Sequence, residues 1–134
     1  GIIPAIEKLV SRFRLQMSTD VVLQNEWPES VFDRELESQV LRIVQESLHN
    51  ARKHSQANLV RVLLTHGEVH RYRVVVEDDG VGFSTDNVPA DGSGHFGLSI
   101  MRERAEAIDA DLRIESENNE GTQVILEFNG QGCD

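Results

Sequence analysis

The chain has 134 residues, of which 39% are hydrophobic and 27% charged, as expected of one soluble globular domain over residues 1–134. Its formal net charge of −10 argues against a nucleic-acid-binding surface, because binding to a polyanion depends on clustered Lys and Arg. No apolar run approaches the roughly 20 residues of a membrane span, no signal peptide is recognisable, and a single cysteine, Cys133, excludes an internal disulfide and indicates a reducing, cytoplasmic compartment.

The first half of the chain predicts two helices separated by a short strand. Apolar residues recur at helical spacing over residues 5–16, and residues 21–26 form a short β-like run. The longest helix is predicted for residues 34–54, with Asp33 as its N-cap. Its apolar residues follow helical spacing over about five turns: Leu36, Val40, Ile43, Val44, Leu48 and Ala51.

The second half predicts two β-hairpins with a loop and a helix between them. In chain order these are strands over residues 59–65 and 71–77, a polar loop over 84–95, a helix over 98–108, and strands over 111–116 and 122–128. Three helices and about five strands joined mainly by hairpins predict an α+β fold. The expected architecture is a two-layer sandwich, with the helices on one face of a mixed, largely antiparallel five-stranded sheet.

Three short stretches carry polar residues in patterns suited to ligand binding. They read QESLHNARKH at residues 45–54, DDGVGF at residues 78–83 and GSGHFGL at residues 92–98. Each is weak evidence alone, because Asp and Gly are also ordinary turn residues. Their order along one chain is the more informative feature.

One polar stripe borders the apolar face of the long predicted helix. Glu46, Asn50, Lys53 and His54 occupy positions i, i+4, i+7 and i+8 of that helix. Such a stripe is commonly just a solvated edge. Asn50 argues for more, because the amide of an asparagine in a helix interior competes with the backbone and adds no helix propensity. We therefore expect the Asn50 carboxamide to have a partner.

Together, the three stretches resemble the nucleotide-binding domain shared by sensor histidine kinases, type II topoisomerases, Hsp90 chaperones and MutL repair proteins, known as the Bergerat fold. Residues 45–54 and 97–105 resemble the nitrate/nitrite-sensor branch of the histidine kinases in particular. The resemblance runs from the first helix to Phe128. The chain departs from that branch in two turns, at residues 108–110 and 118–121.

The resemblance implies ATP and Mg²⁺ as cofactors and a role for each residue of the helical stripe. Asn50 would ligate the Mg²⁺ that bridges the triphosphate, which suits a hard cation that prefers oxygen donors. Glu46 would be the catalytic residue, holding a metal-bound water or accepting a proton. Lys53 and His54 would reach toward phosphate.

The resemblance also implies how the base is recognised. Asp78, rather than the aspartate that follows it, would accept a hydrogen bond from the exocyclic amine of adenine; a carboxylate only accepts, so it would repel the guanine carbonyl. Gly80 and Gly82 would let the backbone pass close to the ring, and Thr122 would lie near the adenine. Residues 84–96 would form an ATP lid. Its hinge would comprise Gly94, Phe96, Gly97 and Leu98.

Alternative functions are weighed on the same stretches. Residues 92–97 also satisfy Gly-x-Gly-x-x-Gly, but they follow a polar loop rather than a strand, so a dinucleotide-binding βαβ unit is not expected. An anti-sigma-factor-type protein serine kinase, a binding module of the same superfamily, stays as the alternative function. An ATP-driven clamp would need a transducer domain for which this length has no room.

The favoured interpretation is the catalytic ATP-binding domain of a sensor histidine kinase, on the cytoplasmic side of a membrane receptor. The first histidine, His49, lies inside the nucleotide helix, so the phosphoacceptor histidine is expected on a separate dimerisation domain. Residues 1–16 would connect to that domain. The expected partners are ATP, the dimerisation domain and a response regulator. The isolated chain is expected to be a monomer.

Overall fold

The computed structural model describes residues 1–28, 32–68, 70–82 and 97–130, with residues 54 and 55 described by their backbone alone. The elements in chain order are α1 (Ile2–Gln16), β1 (Asp20–Asn25), α2 (Arg34–Asn50), a π-helix (Ala51–Ser55), β2 (Leu59–His66), β3 (Arg71–Asp78), α3 (Leu98–Ala107), β4 (Asp111–Ser116) and β5 (Thr122–Asn129). Every helix and strand predicted from the sequence is present, with small shifts in its bounds. The predicted lid, residues 84–96, lies outside the described residues.

The strands form one open sheet in the order β1-β2-β3-β5-β4. β1 pairs with β2 in parallel, and the β2–β3, β3–β5 and β4–β5 pairs are antiparallel. The predicted two-layer α+β fold with a mixed, largely antiparallel sheet is therefore confirmed. The last hairpin adds to the sheet through β5, so that β3 becomes the central strand and ends at Asp78 between two neighbours.

Alternation along the strands separates a core face from an outer face. In β2, Val60, Val62 and Leu64 are fully buried, whereas Arg61 on the opposite face is exposed. Burying such an aliphatic side chain stabilises the fold by about 1.5–3 kcal/mol. The core face is completed by helix and strand residues of one cluster: Ile6, Val10, Val40, Ile43, Val44, Leu48, Met101, Val74, Val76, Val124, Leu126 and Phe128. This shared core fixes α2 and α3 against the sheet.

The first helix is part of the same core. Its buried residues recur on one face: Ile2, Ile6, Leu9, Val10 and Phe13. The Arg14 guanidinium also donates a hydrogen bond from Nε to the Val21 carbonyl, at 2.8 Å. α1 is thus packed into the domain. None of the helices in the described ranges is long and apolar enough to cross a membrane.

The long helix starts as predicted and ends differently. Asp33 is the N-cap, and its Oδ1 accepts a hydrogen bond from the Leu36 amide at 2.8 Å. The α-helix stops at Asn50 rather than continuing through residue 54, and a π-helix follows until Gln56 adopts a left-handed conformation at φ 54°. Hydrophobic spacing cannot distinguish α from the wider i→i+5 winding over five residues. Lys53 therefore lies in the π-helix and not in the α-helix that the spacing predicted.

The two turns that depart from the nitrate/nitrite-sensor branch keep well-defined backbone shapes. After α3, Asp109 takes the left-handed position at φ 52°, its amide bonds the Glu106 carbonyl, and the Ala110 amide bonds the Ala105 carbonyl. This is a Schellman motif with aspartate where glycine is usual. In the β4–β5 turn, Asn119 and Gly121 have φ values of 69° and 79°. The first turn thus forms without a glycine, and in the second a left-handed Asn119 stands beside a left-handed Gly121.

Candidate functional site

The end of the central strand brings two predicted residues together. Asp78 is the last residue of β3 and pairs with Thr122, the first residue of β5, on one side and with Val60 on the other. Its side chain is half-buried, and its Oδ1 accepts a hydrogen bond from the Gly80 amide at 2.9 Å. The Thr122 hydroxyl lies 2.8 Å from that of Ser116. The carboxylate predicted to bind adenine therefore sits in a structured recess.

The electrostatics of Asp78 differ from those of an ordinary surface carboxylate. Burial is the largest effect and raises the pKa of the Asp78 carboxyl, and the nearby charge of Asp79 raises it further. Hydrogen bonds from the Gly80 amide and, more weakly, the Thr122 amide lower this pKa. The balance is an elevated pKa. Ionised Asp78 is thus partly desolvated in the folded chain, which suits an acceptor that exchanges water for a ligand amine.

The neighbouring aspartate has a different role. Asp79 is exposed, and its Oδ1 accepts hydrogen bonds from the backbone amides of Asn58 at 2.8 Å and Leu59 at 3.0 Å. These amides lower the pKa of the Asp79 carboxyl. Both carboxylates accept backbone amides, but Asp78 is half-buried beside Thr122 whereas Asp79 is exposed, so Asp78 is the better placed of the two to hold a ligand. Sequence reasoning noted Asp79 only as the less favoured candidate.

Two glycines join the Asp78 loop to the β4–β5 turn. Gly82 has φ +60°, and a β-carbon there would overlap the Glu117 carbonyl oxygen and lie 2.7 Å from that of Gly121. At Gly121, φ is +79° and a β-carbon would overlap the Asp78 carbonyl oxygen. The Asn119 amide also donates to the Val81 carbonyl at 2.5 Å. Gly82 was predicted to let the backbone pass close to the adenine ring. In the structure, its lack of a side chain leaves room for the β4–β5 turn.

On the helical side, Glu46 contacts the start of α3. Glu46 and Asn50 are both half-buried, one turn apart near the end of α2. A β-carbon added at Gly97 would overlap Glu46 Oε1 and lie 2.9 Å from Glu46 Cδ, and Gly97 itself has φ +64°. Leu98, the next residue, is 3% exposed and belongs to the core. The predicted catalytic carboxylate and the predicted end of the lid hinge are therefore in contact.

The structure describes some of the remaining predicted residues and not others. Lys53 is exposed in the π-helix, where the backbone of His54 also lies. Gly80 contributes its amide to Asp78. Gly94 and Phe96 lie outside the described residues. Binding by Lys53, His54, Gly94 and Phe96 stays a prediction. Sequence reasoning noted Gly121 only within the last turn and before Thr122, and did not predict it as a site residue.

We predict that Gly97→Ala destabilises the chain partly through Glu46. The left-handed backbone should cost about 1–2 kcal/mol in any background. The overlap with Glu46 should add to this cost and should disappear in Glu46→Ala. Urea unfolding of the two single variants and the double variant measures this coupling. Gly67→Ala, where a β-carbon meets nothing within 4 Å, is the control. Strictly additive costs would show that the two side chains do not interact.

We also predict opposite stability changes for the two adjacent aspartates. The folded pKa of Asp78 is raised, so its stabilising contribution is complete below the unfolded pKa and is lost as pH rises through the folded value. Asp78→Asn should therefore raise the free energy of unfolding at neutral pH, and the gain should shrink on acidification. Asp79→Asn should lower that free energy, because a depressed pKa stabilises above the unfolded pKa. Urea unfolding at pH 7 and pH 4 without nucleotide tests both, and equal signs would contradict this account.

Comparison with known proteins identifies the family of the chain. Residues 35–131 match the model of the histidine kinase-, DNA gyrase B- and HSP90-like ATPase family. The nitrate/nitrite sensor protein NarX of Escherichia coli (strain K12) is 30% identical over 128 residues, covering 96% of this chain and 21% of NarX. The oxygen sensor histidine kinase NreB of Staphylococcus carnosus is 36% identical over 127 residues, covering 95% of this chain and 36% of NreB.

Solved structures agree on the fold. The histidine kinase domain of the Erythrobacter litoralis EL346 blue-light activated histidine kinase superposes with a TM-score of 0.82 at 21% identity, covering 96% of this chain and 61% of that chain. The mycobacterial sensor histidine kinase MprB gives a TM-score of 0.73 at 21% identity, covering 96% of this chain and 93% of that chain. These likenesses show the fold. The family match and the sequence relatives show that the chain belongs to the histidine kinase-, DNA gyrase B- and HSP90-like ATPases, in the branch of sensor histidine kinases that includes the nitrate/nitrite sensors.

Proposed function

We propose that this chain binds Mg-ATP and presents its γ-phosphate to a histidine on another domain of a two-component sensor kinase. The observation that carries the proposal is the half-buried Asp78 at the end of the central strand, paired with Thr122 and braced by Gly121. A carboxylate that only accepts hydrogen bonds selects the exocyclic amine of adenine. ATP is therefore the expected nucleotide.

The residues on α2 fit a magnesium ion held mainly by the nucleotide. Glu46 and Asn50 offer oxygen donors one turn apart. In the described part of the chain, no group of three or more His, Cys, Asp or Glu side chains could enclose a metal. Mg²⁺ is usually bound through one or two protein oxygens together with substrate phosphates, so a sparse donor set suits it. Asn50 would be its protein ligand, and the ion would neutralise charge on the phosphates.

Charge at the sheet end supports the orientation of the nucleotide. A cleft of about 710 Å³ beside Asp78 and Thr122 is bordered by further carboxylates: Glu77, Asp79, Glu115, Glu117 and Glu120. These like charges would repel a triphosphate. The phosphates of a nucleotide held at Asp78 should therefore extend toward α2, where Asn50 and the exposed Lys53 lie.

Phosphoryl transfer requires an in-line nucleophile and charge stabilisation, and the chain supplies chiefly the second. The β–γ bridging oxygen would leave with ADP as a histidine nitrogen bonds phosphorus. Glu46 would accept the proton of that nitrogen or hold a water near it. His66 ends β2 and pairs with Tyr72, whereas Asp78 lies at the other end of β3, about 20 Å away along the strand. The acceptor is therefore proposed to lie outside this chain.

The larger context is proposed from the relatives. The chain spans about a fifth of NarX and about a third of NreB. We infer a parent kinase with a dimerisation domain that carries the histidine, a membrane receptor part, and a response regulator that receives the phosphoryl group. The domain would lie on the cytoplasmic side and be monomeric when isolated. These relatives favour a sensor kinase over the serine-kinase alternative.

Nucleotide titrations should separate the two ends of the site. Asp78→Asn should weaken ATP and ADP alike by about 1.5–3 kcal/mol, the value of a hydrogen bond to a charged group. Asn50→Ala should weaken Mg-ATP far more than metal-free ADP. Isothermal calorimetry with and without Mg²⁺ measures both effects. Equal losses for the two ligands in Asn50→Ala would remove Asn50 from the metal site, and wild-type affinity in Asp78→Asn would exclude the adenine contact.

Incubation with γ-labelled ATP tests the reaction itself. The isolated chain should gain no label, because its phosphoacceptor histidine is proposed to lie on another domain. Adding the helical phosphoacceptor domain of the parent kinase should yield acid-labile label on that domain. Glu46→Ala should reduce this transfer more than it reduces nucleotide binding. Robust acid-labile label on the isolated chain would refute the proposal. Acid-stable label on an added protein of the anti-anti-sigma type, the substrate expected of the serine-kinase alternative, would support that alternative.

A further inference from the structure

We propose that Asp79 is a positioning residue that sets the distance between the adenine end and the phosphate end of the site. It would do so by tying the segment that follows α2 and its π-helix to the loop that carries Asp78. The inference rests on the proposed function, because it assigns Asn50 and Asp78 to opposite ends of one nucleotide. Asp79 itself would touch neither base nor phosphate.

The tie consists of three hydrogen bonds between neighbouring segments. Asp79 Oδ1 accepts from the amides of Asn58 and Leu59, at 2.8 and 3.0 Å, and the Asp79 amide donates to the Leu59 carbonyl at 3.3 Å. All three lie just beyond the Val60–Asp78 pair that ends the β2–β3 ladder. The side chain of Asp79 thus extends the connection between the two strands past the last paired residues.

The segment held by Asp79 leads directly from the phosphate end of the site. From Asn50 the chain passes through the π-helix to Gln56, which turns it sharply with a left-handed conformation. Ala57 is buried, and its carbonyl accepts a hydrogen bond from the Thr19 hydroxyl at 2.7 Å. The Asn58 carbonyl accepts from the Asp20 amide at 3.2 Å. Thr19 and the first residue of β1 therefore bond the carbonyl groups of this segment, and Asp79 bonds its amides.

A carboxylate suits this task better than a neutral side chain. Backbone amides that converge on one oxygen stabilise its ionised form, and they lower the pKa of Asp79 accordingly. Without an acceptor, the Asn58 and Leu59 amides would turn to water, and the segment after the π-helix could shift against β3. The affinity for Mg-ATP should fall most on such a shift, because Mg-ATP must contact both ends of the site at once.

Calorimetry on a small set of variants tests the inference. Asp79→Ala should weaken Mg-ATP about tenfold and metal-free ADP less than about threefold, since ADP without metal depends chiefly on the Asp78 end. In the Asn50→Ala background, Asp79→Ala should cost Mg-ATP affinity less than about threefold, because the contact it positions is gone. Asp79→Asn, which keeps one acceptor oxygen, should lie between wild type and Asp79→Ala. Asp20→Ala removes an exposed aspartate beside Leu59 in the β1–β2 register and should change neither affinity.

Hydrogen exchange supplies a readout that does not depend on nucleotide. The Asn58 and Leu59 amides should exchange at least about tenfold faster in Asp79→Ala than in the wild type, while the Val62 amide in mid-strand keeps its rate. Unchanged exchange at residues 58 and 59 would overturn the positioning role, whatever the nucleotide result. Equal losses for Mg-ATP and ADP, or the full Mg-ATP loss persisting beside Asn50→Ala, would also overturn it. A wild-type chain that fails to bind Mg-ATP would instead overturn the proposed function.

Discussion

A half-buried carboxylate at the end of the central strand is the constraint around which this domain is organised. Burial raises the pKa of the Asp78 carboxyl and so makes its ionised state costly. The surrounding backbone compensates in part, with the Gly80 amide donating to Oδ1. The recess exists because β3 runs between β2 and β5 up to its last residue. The strand order of the sheet is therefore what places the Asp78 carboxylate in this recess.

Close backbone approaches hold the loops around this carboxylate. Gly121 allows the β4–β5 turn to reach the Asp78 carbonyl, and Gly82 allows the following loop to meet Glu117 in the same turn. Any side chain at either position would push the two turns apart. Gly97 allows a comparable approach on the helical side, where it meets the Glu46 carboxylate. The glycines thus allow close approaches both at the end of the sheet and at the start of α3.

A similar close approach links Glu46, the proposed catalytic residue, to the start of α3. Glu46 contacts Gly97, the residue just before α3. A movement of Gly97 would therefore displace the Glu46 carboxylate. Buried contacts stabilise this arrangement, since the Ser47 hydroxyl lies 3.5 Å from Met101 Sδ and Leu98 is part of the core. α2 and α3 therefore form a rigid support for the proposed phosphate end.

The sequence by itself determined the elements and the candidate residues. Hydrophobic periodicity located each helix and strand, because burial of one face imposes a period of 3.6 or 2 on the chain. Asn50 stood out because an asparagine is a poor choice for a helix interior, whereas the roles of Glu46 and Asp78 came from the resemblance to a known family. The π-helix after Asn50 was beyond such reasoning, since i→i+5 winding leaves no distinct pattern over five residues.

Only the tertiary structure decided how these residues meet. Strand order and register are set by pairing between segments far apart in the chain, and they alone put Thr122 opposite Asp78. Asp78 and Asp79 differ because Asp78 is half-buried, whereas Asp79 is exposed and accepts hydrogen bonds from the Asn58 and Leu59 amides. The sequence alone does not distinguish two adjacent aspartates in this way. Local sequence carries the chemistry of each side chain, whereas its burial, its pKa and its neighbours arise from contacts that form when the chain folds.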